Sequence, residues 1–317
     1  MATLPRDGGA PVIAPYSFGR ILVPLDGTKL SEGVFTLVRW LLGRKQAEVK
    51  LLTVLSRDET WTDDPVELAC DYLEWRRQAL VELGARVRYA IRVGDPAEQI
   101  LAASEDFQPD IIAMATHGRT GINRWRRGSV TEQVLRHANV PVLAVNPGGL
   151  QEAEKPRLLH FGRILVPLDG SERAAEILPS VAELARLYDS VVTLLHVEEP
   201  IVVPTMLPAN VGDFPRSNGL GPAALEPYRE ALAAVGVNAI VRTIVGSALA
   251  EILRIANEET FDLVALTTHG RTGVARLILG SIAEHVLRHC TVPVLLKRTV
   301  PIAVPAEEPL VARTSEA

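Results

Sequence analysis

Short apolar runs alternate with amphipathic stretches along the chain, and this pattern predicts strands and helices in turn. Residues 20–25 form an apolar, branched run that stops at Asp26-Gly27, which is typical of a buried strand. Residues 29–43 then carry apolar side chains at helical spacing. Further strands are predicted at 49–55, 87–93, 111–115 and 140–145, with helices at 65–84 and 129–137 and one that opens at Asp95-Pro96.

The whole pattern occurs twice. The segment Phe18–Gly27 reappears unchanged at 161–170, and Thr116–Gly121 reappears at 268–273, so the chain is a duplicated module of domain size. The second module repeats the strands near 163–168, 191–197, 239–245, 263–267 and 292–296, and it inserts a proline-rich segment, 198–221, that we expect to be an irregular loop. We predict domains at 17–147 and 161–298, a polar linker at 148–160 and a loose C-terminal tail at 299–317.

Strands that alternate with helices at these lengths predict an α/β fold with a mostly parallel sheet covered on both faces. The order of the strands is not visible in the pattern. In the order 3-2-1-4-5 the chain would reverse direction between strands 1 and 4, and ligands bind such sheets at that switch point. Asp26 and the loop from Thr116 would then meet there.

Composition narrows the classes of function. The net charge of −5 argues against sequence-independent binding to nucleic acid or to an anionic membrane. A local arginine cluster at 119–127 is interpreted as a solvated loop face, with phosphate contact as the alternative. Cys70 and Cys290 form neither a Cys-x-x-Cys pair nor a disulfide framework. The first sixteen residues lack an apolar core long enough for a signal peptide or membrane span, so a cytoplasmic location is expected.

Each module has a glycine-rich loop that leads from an apolar strand into a helix. Such a loop directs backbone N–H groups at one point, and the helix dipole favours an anion such as phosphate there. A structural alternative is a capping box, since Ser129 and Ser281 are each followed three residues later by glutamate. Likewise Asp26 and Asp169 precede glycine, where an aspartate often closes an Asx turn. Their place at the expected switch point favours a ligand role for the aspartates, and the serines leave both interpretations open.

The sequence lacks motifs that would indicate catalytic turnover of a nucleotide. It has no G-x-x-x-x-G-K-[ST], and no G-x-G-x-x-G follows the first strand. Neither loop contains a lysine that would clamp a leaving phosphate. His117 and His269 have no nucleophile at telling spacing and no second metal ligand nearby, so we assign no catalytic residue and no metal site to protein side chains. The sequence predicts binding rather than catalysis.

The combined motifs resemble a tandem universal stress protein. They are Ile-Leu-Val-Pro-Leu-Asp-Gly, Val-Gly, Thr-His-Gly-Arg-Thr-Gly, Gly-Ser and Val-Pro-Val-Leu, in that order and twice over. The resemblance implies two tandem five-stranded parallel α/β sandwiches, Rossmann-like and adenine nucleotide alpha hydrolase-like, with strand order 3-2-1-4-5. In one branch of that family, ATP is held by G-x-x-G, nine residues, then G-[ST]. Here Ala115 and Thr267 replace the first glycine, and the branched Thr267 is expected to weaken binding in the second module.

The resemblance also implies the residues that hold nucleotide. Asp26 and Asp169 would contact ribose or a phosphate-bound Mg²⁺, and Val54 and Val197 would flank adenine. The glycines, the serines and the residues after them would cradle phosphates. The predicted set is Pro24, Leu25, Asp26, Val54, Ala115, His117, Gly118, Gly128, Ser129 and Val130, with Pro167, Leu168, Asp169, Val197, Thr267, His269, Gly270, Gly280, Ser281 and Ile282.

The leading hypothesis is a non-catalytic stress-response protein in which ATP, accompanied by Mg²⁺, acts as a conformational or oligomeric effector. A nucleotide-free interaction module for an unknown protein partner is the first alternative, supported by Ala115 and Thr267, and a slow ATPase is the second. By resemblance, the fifth strands at 140–145 and 292–296 would pair within one chain as a pseudo-twofold dimer, and a homodimer could add to it.

Overall fold

The computed structural model of the protein describes residues 11–42, 47–56, 64–116, 130–146, 161–200, 221–268 and 279–299. Its strands are β1 (Arg20–Leu25), β2 (Glu48–Leu55), β3 (Arg86–Val93), β4 (Ile111–Ala115), β5 (Val142–Val145), β6 (Arg163–Pro167), β7 (Val191–Glu198), β8 (Asn238–Val245), β9 (Leu263–Thr267) and β10 (Val294–Lys297). Its α-helices are α1 (Val34–Leu42), α2 (Pro65–Val81), α3 (Pro96–Phe107), α4 (Val130–His137), α5 (Glu172–Ala175), α6 (Leu178–Tyr188), α7 (Glu226–Ala234), α8 (Ala248–Glu258) and α9 (Ser281–His289).

The strands form a single sheet in the order β3-β2-β1-β4-β5-β10-β9-β6-β7-β8. Neighbours within each module are parallel, so the predicted α/β class is confirmed. The two five-stranded sheets are not separate, because β5 and β10 pair in antiparallel register with Leu143 opposite Leu295. The outcome is one mixed ten-stranded sheet.

Helices cover both faces of this sheet. The core on one face, which we call the first-helix face, includes Leu37 of α1, Leu73 of α2, Val181 of α6 and Leu232 of α7. The core on the other face, the fourth-helix face, includes Ile100 of α3, Val134 of α4, Ile255 of α8 and Val286 of α9. Each core draws side chains from both modules, so burial of apolar surface joins them.

Several element boundaries differ from the prediction for identifiable reasons. The region predicted as one helix from residue 29 begins with a 3-10 turn at Ser31–Gly33 before α1. Helix α2 ends at Val81, and Gly84 follows in a left-handed conformation with φ of +86°. The fifth strands begin at Val142 and Val294 because the prolines before them have no N–H to donate to the ladder. The predicted linker, the tail after Thr299, the arginine cluster and most of the inserted segment lie outside the described residues.

Candidate functional site

The first strand of module one ends in a closed turn around Asp26. The Oδ1 atom of Asp26 accepts hydrogen bonds from the backbone N–H of Thr28 at 3.0 Å and from its hydroxyl at 2.7 Å. The hydroxyl of Thr28 also accepts from the N–H of Ser31 at 3.2 Å. Gly27 permits the turn, since its φ of +79° lies in the region that side chains disfavour. The turn fixes the carboxylate at the carboxyl end of β1.

The second module repeats this arrangement. The Oδ1 atom of Asp169 accepts from the N–H of Ser171 at 2.9 Å and from its hydroxyl at 2.6 Å. Ser171 is also the N-cap of α5, because its hydroxyl accepts from the N–H of Ala174 at 3.1 Å. Both aspartates therefore make the Asx turn that the sequence raised as an alternative. The turn is compatible with a ligand role, since it positions the carboxylate without removing it from the strand end.

The two faces of the sheet divide the predicted residues. Val54 and Val130 pack against the core of the fourth-helix face, and Val197 and Ile282 do the same in module two. The structure thus brings each predicted adenine-flanking valine onto the face that carries the helix after the glycine loop. Leu25 and Leu168 belong to the core of the first-helix face, on the opposite side. Pro24 and Pro167 each directly precede those leucines in the chain, at the ends of β1 and β6.

The residues that replace the first glycine of the family pattern lie on the first-helix face. Ala115 belongs to the core there. Thr267 alternates with Leu263 and Ala265 of the same core, and it is only 8% exposed. Neither side chain is directed to the face that holds Val54, Val130, Val197 and Ile282. The additional methyl groups therefore fill core space rather than the space beside the fourth helix.

The glycine loops themselves are described only at their ends. The residues His117, Gly118, Gly128, Ser129, His269 and Gly270 lie outside the described residues. In module one, the N–H of Thr116 donates to the carbonyl of Val145 at 2.9 Å, and the hydroxyl of Thr131 donates to the carbonyl of Ala115 at 3.3 Å. In module two, the N–H of Gly280 donates to the carbonyl of Thr268 at 2.9 Å. The end of the fourth strand and the start of the fourth helix are therefore held together.

The start of α9 decides one of the open alternatives. Gly280 is the N-cap, no side chain caps it, and Ser281 is the first helical residue. A capping box places serine at the N-cap itself, so the capping interpretation is wrong for Ser281. The side chain of Glu284 instead accepts from Arg288 at 2.6 Å. The first turn of α9 begins at a residue without a Cβ, which leaves room for an anion near its N–H groups.

Sequence reasoning missed several residues that shape the site. Thr28 and Ser171 lock the aspartates, and the repeated Asp-Gly-Thr and Asp-Gly-Ser triplets could have indicated them. His196, on β7, is 1% exposed, and its Nδ1 lies 3.0 Å from the carbonyl of Leu168, which it therefore supports from the first-helix face. No pattern in the sequence predicted that contact.

Two carboxylates act on the phenol of Tyr228 near the end of β6. Burial raises the pKa of Tyr228, and the carboxylates of Glu172 and Asp169 raise the pKa further. Among the described residues no group of three or more His, Cys, Asp or Glu side chains is placed to hold a metal ion.

The fold and these turns define a class of α/β protein that is built from a duplicated module, with an aspartate turn after the first strand of each copy. The sequence profile of the universal stress protein family matches residues 17–146 and 160–298. The chain belongs to the universal stress protein family, with two copies in tandem.

Individual relatives agree with this assignment. Universal stress protein MJ0577 of Methanocaldococcus jannaschii is 30% identical over 153 residues, which cover 40% of this chain and 94% of that protein. Universal stress protein YxiE of Bacillus subtilis is 31% identical over 149 residues, covering 44% of this chain and 99% of the relative. A universal stress protein structure from Archaeoglobus fulgidus has the same fold over 89% of this chain and 99% of its own, with a TM-score of 0.67 and 23% identity. No helix among the described residues is long and apolar enough to cross a membrane.

Proposed function

We propose that the protein is a stress-response regulator that binds ATP with Mg²⁺ and uses the nucleotide as an effector without turning it over. The observation that carries this proposal is the pair of aspartate turns, one in each module, at the point where the strand order reverses. In each module the first strand lies between the second and fourth strands, and it ends at an aspartate whose carboxylate is fixed by its own turn. Ligands of open α/β sheets bind where the strand order reverses in this way.

The fixed turn favours binding because little conformational freedom remains to be lost. The Asp26 and Asp169 carboxylates are already held at the carboxyl ends of β1 and β6. A preorganised polar group binds more tightly than one that must be ordered by its ligand. Each carboxylate is an oxygen ligand of the kind that Mg²⁺ uses together with phosphate oxygens, or an acceptor for ribose hydroxyls.

The apolar and anionic ends of a nucleotide have separate places in this proposal. Val54 and Val197 offer half-buried apolar surface to adenine at the ends of β2 and β7. The N-cap of α9 is Gly280, and the first N–H groups of the helix, which have no intrahelical partner, together with the helix dipole would attract phosphate there. Because Ala115 and Thr267 occupy core positions on the other face, we expect nucleotide in both modules rather than in one.

The test is a comparison of matched variants. Protein purified without added ligand is denatured and its supernatant is analysed by chromatography for adenine nucleotide, and the stripped protein is titrated with Mg²⁺-ATP by calorimetry. Asp26→Asn and Asp169→Asn preserve the turn acceptor but remove the charge. Loss of a charge-assisted contact is worth about 1.5–3 kcal/mol, so each change should weaken binding in its own module by about 10- to 100-fold.

The control is Asp71→Asn, because Asp71 is an exposed residue of α2, the helix that packs on the first-helix face. This variant should bind like the unmodified protein, and none of the proteins should release phosphate above background. Absence of both co-purified nucleotide and a heat of binding would refute the proposal and leave the nucleotide-free interaction module. Phosphate release that disappears in Asp26→Asn would instead establish the slow ATPase.

A further inference from the structure

Helix α9 carries two histidines on one face. His285 and His289 are four residues apart, which places their side chains one turn above the other. Their ring centroids are 6.2 Å apart and the ring planes are inclined by 31°. His285 is partly buried and His289 is exposed, so both rings border solvent.

The hydrogen bond of His285 defines which nitrogen is available. Its Nδ1 lies 2.7 Å from the backbone carbonyl of Ser281. A carbonyl oxygen only accepts, so Nδ1 donates, and in the neutral ring Nε2 keeps its lone pair. Histidines that ligate metals commonly donate their other ring nitrogen to a carbonyl in this manner, because the contact fixes both tautomer and ring orientation.

The end of the helix is anchored at His289. The carbonyl of His289 accepts from the side-chain amide of Asn257 at 3.1 Å, and the same side chain accepts from the N–H of Thr291 at 2.9 Å. Asn257 belongs to α8, so α8 holds the last turn of α9 in place. The neighbouring cation, Arg288, is paired with Glu284 at 2.6 Å, which reduces repulsion of a metal ion.

We propose that His285 and His289 form a binding site for a divalent transition-metal ion, with water completing the coordination. The Nε2 of His285 is presented by its Nδ1 hydrogen bond, and the ring of His289 turns about its terminal torsion, which is broad for histidine, to face the same ion; ligand distances of about 2.0–2.1 Å are usual for imidazole. Imidazole ligands favour Cu²⁺ over Ni²⁺ and Zn²⁺ in the general order of affinities. The proposal does not require nucleotide binding, because the site uses no residue of the strand ends and is tested with copper alone. It does adjoin the start of α9, since His285 contacts the carbonyl of Ser281.

Module one provides an internal comparison. At the same repeat positions it has Gln133 and His137, so α4 presents one imidazole where α9 presents two. The exposures match, because Gln133 is partly buried and His137 is exposed. The ring of His137 also meets the i−4 carbonyl, with Nδ1 2.9 Å from the carbonyl of Gln133. The two helices therefore differ at one position of the histidine pair, where α4 has Gln133 and α9 has His285.

The experiment removes the first histidine of the pair from α9 and introduces its equivalent in α4, using the full-length, tag-free protein. CuCl₂ is titrated by calorimetry into the unmodified protein, His285→Gln, Gln133→His and His137→Ala, after removal of bound metal with chelator. His285→Gln should lower the number of saturable copper equivalents by one, Gln133→His should raise it by one, and His137→Ala should leave it unchanged. All three substitutions lie at solvent-bordering positions, and circular dichroism checks that each variant keeps the total helix content of the unmodified protein.

An unchanged stoichiometry in His285→Gln overturns the proposal, whatever other sites the chain has. Copper bound by the unmodified protein should also raise its melting temperature, and His285→Gln should lose this rise because ligands that bind only the folded helix stabilise it.

Discussion

One pair of equivalent positions holds different residues in the two modules. Thr53 on β2 corresponds to His196 on β7, and each directly precedes a predicted adenine-flanking valine. Both side chains are buried, and the Thr53 hydroxyl and the His196 Nε2 have no hydrogen-bond partner in the described structure. Buried polar atoms of this kind are usually satisfied by water. The two modules therefore differ in the buried polar side chain next to the predicted adenine-flanking valine, although their aspartate turns are the same.

At the residue scale, Tyr228 is expected to make the free energy of unfolding fall as the pH rises into the alkaline range. It is 4% exposed, and its pKa is raised first by burial and then by Glu172 and Asp169. The phenol of an unfolded chain titrates near 10, so the unfolded state releases its proton first as the pH rises. The stabilisation is thus complete below about pH 10 and is lost above it.

Thermal unfolding between about pH 9 and 11 tests this prediction. Tyr228→Phe should show a smaller fall in melting temperature over that range than the unmodified protein, because phenylalanine has no proton to release. Tyr89→Phe serves as the control, since Tyr89 is 37% exposed on the edge strand β3. An identical pH dependence in the Tyr228→Phe protein would contradict the expectation.

At the scale of elements, equivalent helices of the two modules begin differently. Both α3 and α8 follow an edge strand and pack on the fourth-helix face. Asp95 caps α3, because its Oδ1 accepts from the N–H of Glu98 at 3.0 Å, and Pro96 occupies the first turn. Ser247 occupies the N-cap of α8 but makes no side-chain capping bond. The N-cap residue therefore closes its own helix in module one only. In module two a more distant side chain does so, because the Oε1 atom of Glu199 accepts from the N–H of Ala248 at 3.3 Å.

This difference predicts that alanine substitutions at the two N-cap positions have unequal effects on the free energy of unfolding. Asp95→Ala should lower the free energy of unfolding by about 1 kcal/mol, which is the usual effect of removing an N-cap acceptor. Ser247→Ala should change it by no more than a few tenths of a kcal/mol, the range of an uninvolved surface residue. Urea denaturation followed by circular dichroism measures both, and equal losses would show that the two caps contribute alike.

At the scale of the whole molecule, the modules are joined by more than a linker. The β5–β10 ladder continues the sheet from one module to the other, with Leu143 and Leu295 fully buried. Trp40 of α1 also meets Phe161, at the start of module two, edge to face with centroids 5.1 Å apart. Aromatic pairs of this geometry add to the stabilisation from burial.

Cleavage between the modules should therefore leave them associated. A protease site introduced within 147–160 and cut in the native protein should yield fragments that co-elute on size exclusion at micromolar concentration. The reason is that separation would expose the unpaired edges of β5 and β10 together with the apolar cores that both modules share. The matched variant Leu295→Asp should shift the cleaved protein toward separate fragments. Separation of the cleaved fragments without that substitution would contradict the prediction.

The sequence by itself determined the repeat, the element types and the α/β class. Apolar runs such as 20–25 are branched and uninterrupted because parallel strands are buried on both faces, and this signal depends only on neighbouring residues. The aspartates before glycine were identified for the same local reason, since an Asx turn involves residues two apart.

Only the tertiary structure decided which residues share a face and which strands meet. The alternation along β4 and β9 turns Ala115 and Thr267 to the first-helix face, although their place in the motif had indicated contact with ligand. The contact of His196 with Leu168 and the pairing of Leu143 with Leu295 join residues far apart in the chain. Such contacts depend on strand order and burial across the whole sheet, and no local pattern of residues contains that information.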